Sequence, residues 1–440
     1  MYTQLKNGFS GVNLQDKHFI FHRVNGNPFL VTNDLFQRLL SDTVQEQDQL
    51  MLQDAGYLNT TTPPIAIYQD RINTHIENYS GPFVLDLTIS EGCNLGCHMC
   101  IHAFSVIDGT PRSSKKVMTF ETAQKWIDYY IDVWAQKVNL PYLSFHFGAA
   151  EPFLNKKALL QCLDYIEQKL TPLDKEILIN SNLTLLDDEI LQSLAKHKVR
   201  VSVGLDGLEK DNDLIRIDSK QRGTFAIIVK NISRLLDAGV AVGVNLTLTD
   251  RNIKTVEPGE FLREMKKLGL DAVLVDIDFV LGVKFDWQTI VAKLMQFYVE
   301  AESIGIELRG NWLAPFYNLT SEDELEPRSF CASLRGKNIV VTPSGNLSYC
   351  TYSSDVVSTP QSPDVDNAML GFVDDMKQYM KNYYLTPSGE YCGSCDLLGF
   401  CGGGCRITHE QNGATELMCQ IYRGATEALI KHNYQEEIFD

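Results

Sequence analysis

Between Pro82 and Gly310 the chain repeats one pattern six times: a short apolar run of strand length, then a longer stretch with apolar residues at helical spacing. The runs FVLDLTI, YLSFHF, EILINS, RVSVGLD, AVGVNLTL and AVLVDIDFV each precede an amphipathic segment such as NKKALLQCLDYIEQKL or GTFAIIVKNISRLLDAG. Parallel strands need long crossovers, and helices supply them. The pattern therefore predicts an α/β fold over 82–310, a partial (β/α)6, TIM-like barrel with a parallel sheet wrapped by helices. Sites in such folds collect at the carboxyl ends of the strands, and the first cysteine cluster follows the first strand directly.

The flanks read differently. KHFIFHRVNGNPFL, residues 18–31, reads as two strands around an Asn-Gly turn, followed by the helix DLFQRLLSD and a second helix before GYLN. Residues 1–60 are thus expected to form a small sheet-and-helix unit. It resembles the winged recognition element of peptide-maturation systems, and a plain cap on the next domain is the competing reading. Residues 61–81, opened by a Thr- and Pro-rich run, are expected to be a linker. Beyond Gly310 the periodicity fades into a Cys- and Gly-rich region, 311–425, with 426–440 as a C-terminal tail. A region so poor in apolar periodicity needs an internal staple, and metal ligation couples to folding.

A formal charge of −17 with no basic block argues against nucleic acid, whose phosphates would be repelled. No run of about 18 apolar residues marks a membrane span, and MYTQLKNGFSGV lacks the features of an export signal. A cytoplasmic protein acting on small molecules or a peptide is expected.

Eleven cysteines in such a chain, clustered in sequence, point to metal or cluster ligation, since the reducing cytosol disfavours disulfides. Cys93, Cys97 and Cys100 stand as C-N-L-G-C-H-M-C. Three thiolates leave one iron of a cubane cluster free, and a free iron can chelate the amino and carboxylate groups of a small molecule. An electron carrier closes its cluster with a fourth Cys. Gly96 suits a tight loop close to the cluster. Seven more form a second array, C-x13-G-x4-C, then C-x2-C-x5-C-x3-C, then C: Cys331, Cys350, Cys392, Cys395, Cys401, Cys405 and Cys419, with Gly345 in the first spacing. Structural zinc competes for this array, because C-x2-C pairs are its signature. Cys162, in LLQCLDYI, reads as a buried, inert thiol.

The first spacing resembles the signature of the radical S-adenosylmethionine (SAM) superfamily, and the resemblance extends over roughly residues 83–420. It implies that Cys93, Cys97 and Cys100 hold a catalytic [4Fe–4S] cluster whose open iron binds SAM, and that reductive cleavage yields a 5′-deoxyadenosyl radical. By the same resemblance Ala149, Ala150, Glu151 and Pro152 occupy the place of a Gly-Gly-Glu-Pro segment that receives the cofactor's amino group, with both glycines replaced. Ser181 and Asn182 match a ribose-placing pair, and Asp206 matches a Ser-Leu-Asp-Gly segment. Arg216 becomes a partner for the cofactor carboxylate, and Met99 stands where relatives pack an aromatic against adenine. A turn residue, a loop charge or a surface ion pair is the alternative for each.

The second array resembles the SPASM domain, which implies two auxiliary [4Fe–4S] clusters and three clusters in all. Cys392, Cys395, Cys401 and Cys419 match the outer cluster, and Cys331, Cys350 and Cys405 the inner one. Two closed clusters need eight thiolates and the array offers seven, so the inner cluster is expected to keep an open or non-Cys position. Thr351 stands where anaerobic sulfatase maturases carry an Asp. The resemblance therefore implies an oxidoreductase that matures a ribosomal precursor peptide (RiPP), forming a C–C, ether or thioether crosslink as cyclophane- and darobactin-type enzymes do, with a flavodoxin or ferredoxin-type electron donor. A sulfatase-maturase-like protein oxidase and a non-catalytic electron carrier remain the alternatives.

Overall fold

Polar residues cap three of the helices that follow the apolar runs. Thr119, Asp187 and Asp286 accept backbone N–H bonds from Thr122, Ile190 and Thr289 and start three of the helices. In the computed structural model the described residues are 1–59, 61–100, 116–170, 175–278, 284–321, 331–351, 364–385, 390–402, 404–405 and 414–435. The expected strands form as β5 (Val84–Leu87), β6 (Leu143–Phe147), β7 (Lys175–Ser181), β8 (Arg200–Gly204), β9 (Ala241–Leu248) and β10 (Ala272–Ile277), all parallel to their neighbours. The end of the sixth run, Phe279 and Val280, lies outside the described residues. Helices Phe120–Tyr129, Lys156–Lys169, Asp188–Lys196, Phe225–Asp237, Pro258–Lys267 and Trp287–Ile304 follow the strands in turn.

The sheet is larger than the six repeats. A short parallel strand, β11 (Glu307–Arg309), extends it beyond β10, and on the other side β12 (Asn338–Val341) pairs parallel to β5, followed by β13 (Leu347–Ser348) antiparallel to β12. The order is β11-β10-β9-β8-β7-β6-β5-β12-β13. The C-terminal region thus continues the sheet. Gly345, inside the first cysteine spacing, lies in the β12–β13 turn with φ +80°, a conformation that favours glycine.

The two faces of this sheet differ. Phe145, Phe147, Ile177, Ile179, Val201, Val203, Leu246 and Val275 are buried in the main core. The alternate positions, among them His146, Asn180, Ser202, Gly204, Asn245, Thr247 and Asp276, are half-buried and mostly polar. Strands covered by helices on one face and lined by polar groups on the other leave that second face for a ligand.

The N-terminal unit is a four-stranded antiparallel sheet in the order β1 (Thr3–Gln4), β2 (Phe9–Asn13), β3 (Lys17–His22), β4 (Gly26–Thr32), with the helices Asn33–Ser41 and Gln49–Asp54. Phe9, Ile20, Val31, Leu35, Phe36 and Leu52 form its own small core. The other face docks on the C-terminal cysteine region. Ser10 Oγ meets Asp396 Oδ1 at 2.7 Å, the Gly399 N–H donates to Arg23 O at 2.9 Å, and Phe19 packs on Tyr434.

Two expectations are corrected. Residues 61–81 are not an extended linker, because Pro64–Glu77 is a helix with Tyr68, Ile72 and Ile76 buried. Pro64 at its first position lacks only an N–H that a helix start leaves unused. Residues 426–440 are not simply a tail either. The helix Ala414–Tyr434 runs through the boundary and buries Leu429 and Ile430. No helix among the described residues is long and apolar enough to cross a membrane.

Candidate active site

The loop after β5 carries Cys93, Cys97 and Cys100 and is fixed by backbone pairing to the segment 215–218. Leu95 bridges Asp218, Gly96 N–H donates to Ile217 O at 2.8 Å, and His98 N–H to Ile215 O at 3.0 Å. On the far side the Glu151 N–H donates to Gly92 O at 3.0 Å. Met99 is half-buried on the loop. Burial pushes the thiol of Cys93 up to about 11, helped by the charges of Glu151 and Cys100, and that of Cys97 up to about 12, helped by those of Cys100 and Cys93. Three thiols within each other's field, all reduced, form a donor set that a cationic iron centre would hold deprotonated.

The loop's neighbour Arg216 is buried with its guanidinium against Asp206, Nε–Oδ2 2.7 Å and Nη2–Oδ1 3.4 Å. The Nε–H does not point along the shorter line, so the pair is first an electrostatic contact. Burial opposes the charge on Arg216, and Asp206 and Cys97 favour it, with a net upward shift. A Cβ on Gly204, the last residue of β8, would overlap the guanidinium. Asp206 also accepts the Thr247 N–H at 2.9 Å, which ties the end of β8 to β9.

Glu151, 0% exposed, accepts from Phe153 N–H at 3.0 Å and Ser181 Oγ at 2.9 Å on Oε1, and from Asn182 N–H at 2.8 Å on Oε2. Burial raises its carboxyl to about 7 against these donors. Asn182 Nδ2 donates to Cys93 Sγ at 3.6 Å and to Asn94 Oδ1 at 3.0 Å, and Asn94 Nδ2 donates to Thr184 Oγ1 at 2.8 Å. The loop of Cys93, the start of the segment after β6 and the end of β7 are therefore one hydrogen-bonded body.

Ala149 and Ala150, in the place of the two glycines, have φ +62° and +21°. The backbone keeps the left-handed form that a Cβ opposes by roughly 1 kcal/mol per residue. Glycine would remove that strain at the cost of roughly 0.5–1 kcal/mol of chain entropy. Ala149→Gly and Ala150→Gly are therefore expected to leave the urea unfolding midpoint unchanged or raised. A drop of about 1 kcal/mol, the ordinary cost of this change in regular structure, would show that the turn is not strained.

Asp276, on the polar face near the end of β10, accepts from Asn311 N–H at 2.8 Å and Asn311 Nδ2 at 2.9 Å. Among the described residues no cation offsets its burial, which pushes the carboxyl to about 7. A folded-state value above the unfolded one means that this group's stabilisation is complete below about pH 4 and is lost as pH rises through about 7. Over pH 5–7 the wild type is expected to lose stability relative to Asp276→Asn by up to roughly 1.4 kcal/mol per pH unit. Urea titrations of both proteins at three pH values check this, and parallel pH curves would refute it.

The C-terminal thiols are gathered as well. Burial, then the charges of Cys392 and Cys395, push Cys419 up to about 12. Cys401 and Cys405 both act on Tyr383 and Tyr422, and Tyr68 feels Cys392 and Cys401. Cys331 precedes the turn Ser333–Arg335, whose N–H groups partly offset the effect of its burial, and Cys350 follows β13. Cys162 stands apart on the helix Lys156–Lys169, fully buried, its thiol raised to about 12 by burial alone.

Of the residues singled out in the sequence, Cys93, Cys97, Cys100, Glu151, Ser181, Asn182, Asp206 and Arg216 meet at the carboxyl ends of β5–β9. Sequence reading missed Asn94, Thr184, Gly204 and Thr247, whose roles arise only from contacts between strands.

Residues 87–257 match the Radical SAM superfamily. Uncharacterized protein MJ0907 of Methanocaldococcus jannaschii is 24% identical over 193 residues, 44% of this chain, and the chain spans 62% of that relative's length. Among solved structures, anSMEcpe with bound AdoMet superposes with TM-score 0.63 at 16% identity, covering 80% of this chain and 99% of that one. SuiB of Streptococcus suis bound to precursor peptide SuiA superposes with TM-score 0.55 at 16% identity, covering 94% and 98%. The parallel sheet of this protein carries a radical SAM domain over residues 87–257.

Proposed function

We propose that this enzyme is a peptide maturase: it abstracts a side-chain hydrogen from a ribosomal precursor peptide and forms a crosslink, using one catalytic and two auxiliary [4Fe–4S] clusters. The observation that carries the reading is the separation of the reduced cysteines into two sets. Three lie on the loop beside Arg216, at the carboxyl ends of the strands, and seven lie in the region that extends the sheet through β12 and β13. The likeness to SuiB over 94% of the chain supports a peptide substrate.

SAM bound at a cluster with one open iron supplies, once reduced, a carbon radical that takes a hydrogen atom from a substrate. Cys93, Cys97 and Cys100 would hold that cluster. Arg216 places a buried positive charge beside Cys97, and Glu151 offers a carboxylate at the turn expected to receive the cofactor's amino group. The polar face from His146 to Asp276 would seat the peptide away from water. Cys392, Cys395, Cys401 and Cys419 would close an outer cluster, and Cys331, Cys350 and Cys405 would hold an inner one. A flavodoxin or ferredoxin-type protein would supply electrons. In the N-terminal unit β4 is the edge strand beside β3, with β1 at the opposite edge, and a leader strand would add to β4. Thr351 in place of an Asp disfavours the sulfatase-maturase chemistry.

The test is incubation of reconstituted, reduced enzyme with SAM and a candidate precursor peptide. Formation of 5′-deoxyadenosine together with a peptide lighter by two hydrogens supports the reading. Full cluster content without 5′-deoxyadenosine would leave an electron carrier.

A further inference from the structure

Asn182 has no free valence. A primary amide offers two N–H donors and two acceptor lone pairs. Here Nδ2 donates to Cys93 Sγ at 3.6 Å and Asn94 Oδ1 at 3.0 Å, while Oδ1 accepts from Thr184 N–H at 2.9 Å and Thr184 Oγ1 at 2.7 Å. The orientation is fixed, because turning the amide over would set its NH₂ against the Thr184 N–H, donor against donor. Ser181 is equally engaged, donating to Glu151 Oε1 at 2.9 Å and accepting from Leu183 N–H at 3.0 Å. Both residues are more than nine-tenths buried. A ribose hydroxyl could bond either side chain only by displacing one of these partners.

We propose that Asn182 is a positioning residue for the Cys93 sulfur, setting the electron affinity of the cluster held by Cys93, Cys97 and Cys100, and is not a ribose contact. The proposal rests on the functional reading above for the presence of that cluster. Cys93 Sγ receives two N–H groups, from Asn182 and, at 3.4 Å, from the backbone of Leu95. Donors aimed at a cluster sulfur stabilise the more negative, reduced form more than the oxidised one and so raise the potential. The ring of Asn182, Asn94 and Thr184, from which the bond to Cys93 Sγ projects, fixes this donor to the end of β7. It also couples the sulfur to Glu151 through the Asn182 N–H.

The experiment is an anaerobic redox titration of the full chain reconstituted with iron and sulfide. It follows the electron paramagnetic resonance signal that shifts on adding SAM, and equilibrium SAM binding is measured in parallel. In Asn182→Ala the potential is expected to move negative, so that at a fixed poise the ratio of reduced to oxidised cluster falls about tenfold, about 59 mV for one electron. The SAM dissociation constant is expected to change by less than about threefold. Asn182→Asp keeps both bonds from Thr184, which guards the local fold, and puts a charge where the donor was, so its shift is expected to be larger. An unchanged potential in the folded variants overturns the proposal. Loss of SAM affinity by more than about tenfold at unchanged potential would return Asn182 to the ribose. A wild-type chain with no SAM-responsive signal would overturn the functional reading, and the proposal with it.

Discussion

Replacing Cys93, Cys97 and Cys100 together by Ala is expected to reduce 5′-deoxyadenosine formation to background while bound iron falls by only about one-third, one of the three clusters proposed. The first set is held by the segment 215–218, by Glu151 and by Asn182. The second is held by β12–β13, the helix Ala414–Tyr434 and the N-terminal sheet, through Ser10–Asp396 and Arg23–Gly399. The two sets meet through the pairing of β5 with β12, which lies in the sheet and not at the cysteines, so emptying one site should leave the other folded. Iron and sulfide per chain and the signals of the remaining clusters measure this. Loss of all iron would make separate sites untenable. Cys162→Ala is the control and should change neither count, because that thiol is sealed in the helix layer with no other thiol acting on it.

How much of this was legible in the sequence depends on whether the signal is local. The six strand-helix repeats were, because alternation and helical spacing are written in consecutive residues. The Asn-Gly turn before β4 was too, with Gly26 at φ +75°. The pairing of β12 with β5 was not. It joins residues some 250 positions apart, and nothing in NIVVTP says which edge it meets. Residues 61–81 misled because Thr and Pro were weighed as loop formers, whereas Pro63 and Pro64 open a helix whose Ile65, Tyr68, Ile72 and Ile76 fall on one face.

The site divides the same way. Cysteine spacing is a local property, and it marked both thiol sets. Glu151, Asp206 and Arg216 could be singled out only by resemblance, since each alone reads as a loop charge. Their partners come from neighbouring strands: Gly204 gives the guanidinium room by lacking a Cβ, and Thr247 holds Asp206 from β9. The alanines at 149 and 150 depart from the pattern, yet their backbone has positive φ, a conformation that favours glycine.

The other large effect is expected at the pair Asp206–Arg216. Asp206 is 0% exposed and the Arg216 side chain 12% exposed. Arg216→Ala would leave a buried carboxylate without its cation, a change that costs roughly 3–5 kcal/mol. The loss should spread to the first cysteine set, because Ile215, Ile217 and Asp218, on either side of Arg216, carry the backbone bonds that hold Leu95, Gly96 and His98. Iron at that site is therefore expected to fall together with the unfolding free energy. Arg216→Lys should recover little, since a compact ammonium does not replace the planar guanidinium packed over Gly204. The double variant Asp206→Asn, Arg216→Met removes both charges, keeps an acceptor for the Thr247 N–H, and should be less damaging than Arg216→Ala by about 2 kcal/mol. Urea unfolding and iron per chain, measured across this cycle, separate a charge effect from loss of packing. A cost for Arg216→Ala near the 0.5 kcal/mol or so of an ordinary surface change would mean that the cysteine loop is held by its backbone pairing alone.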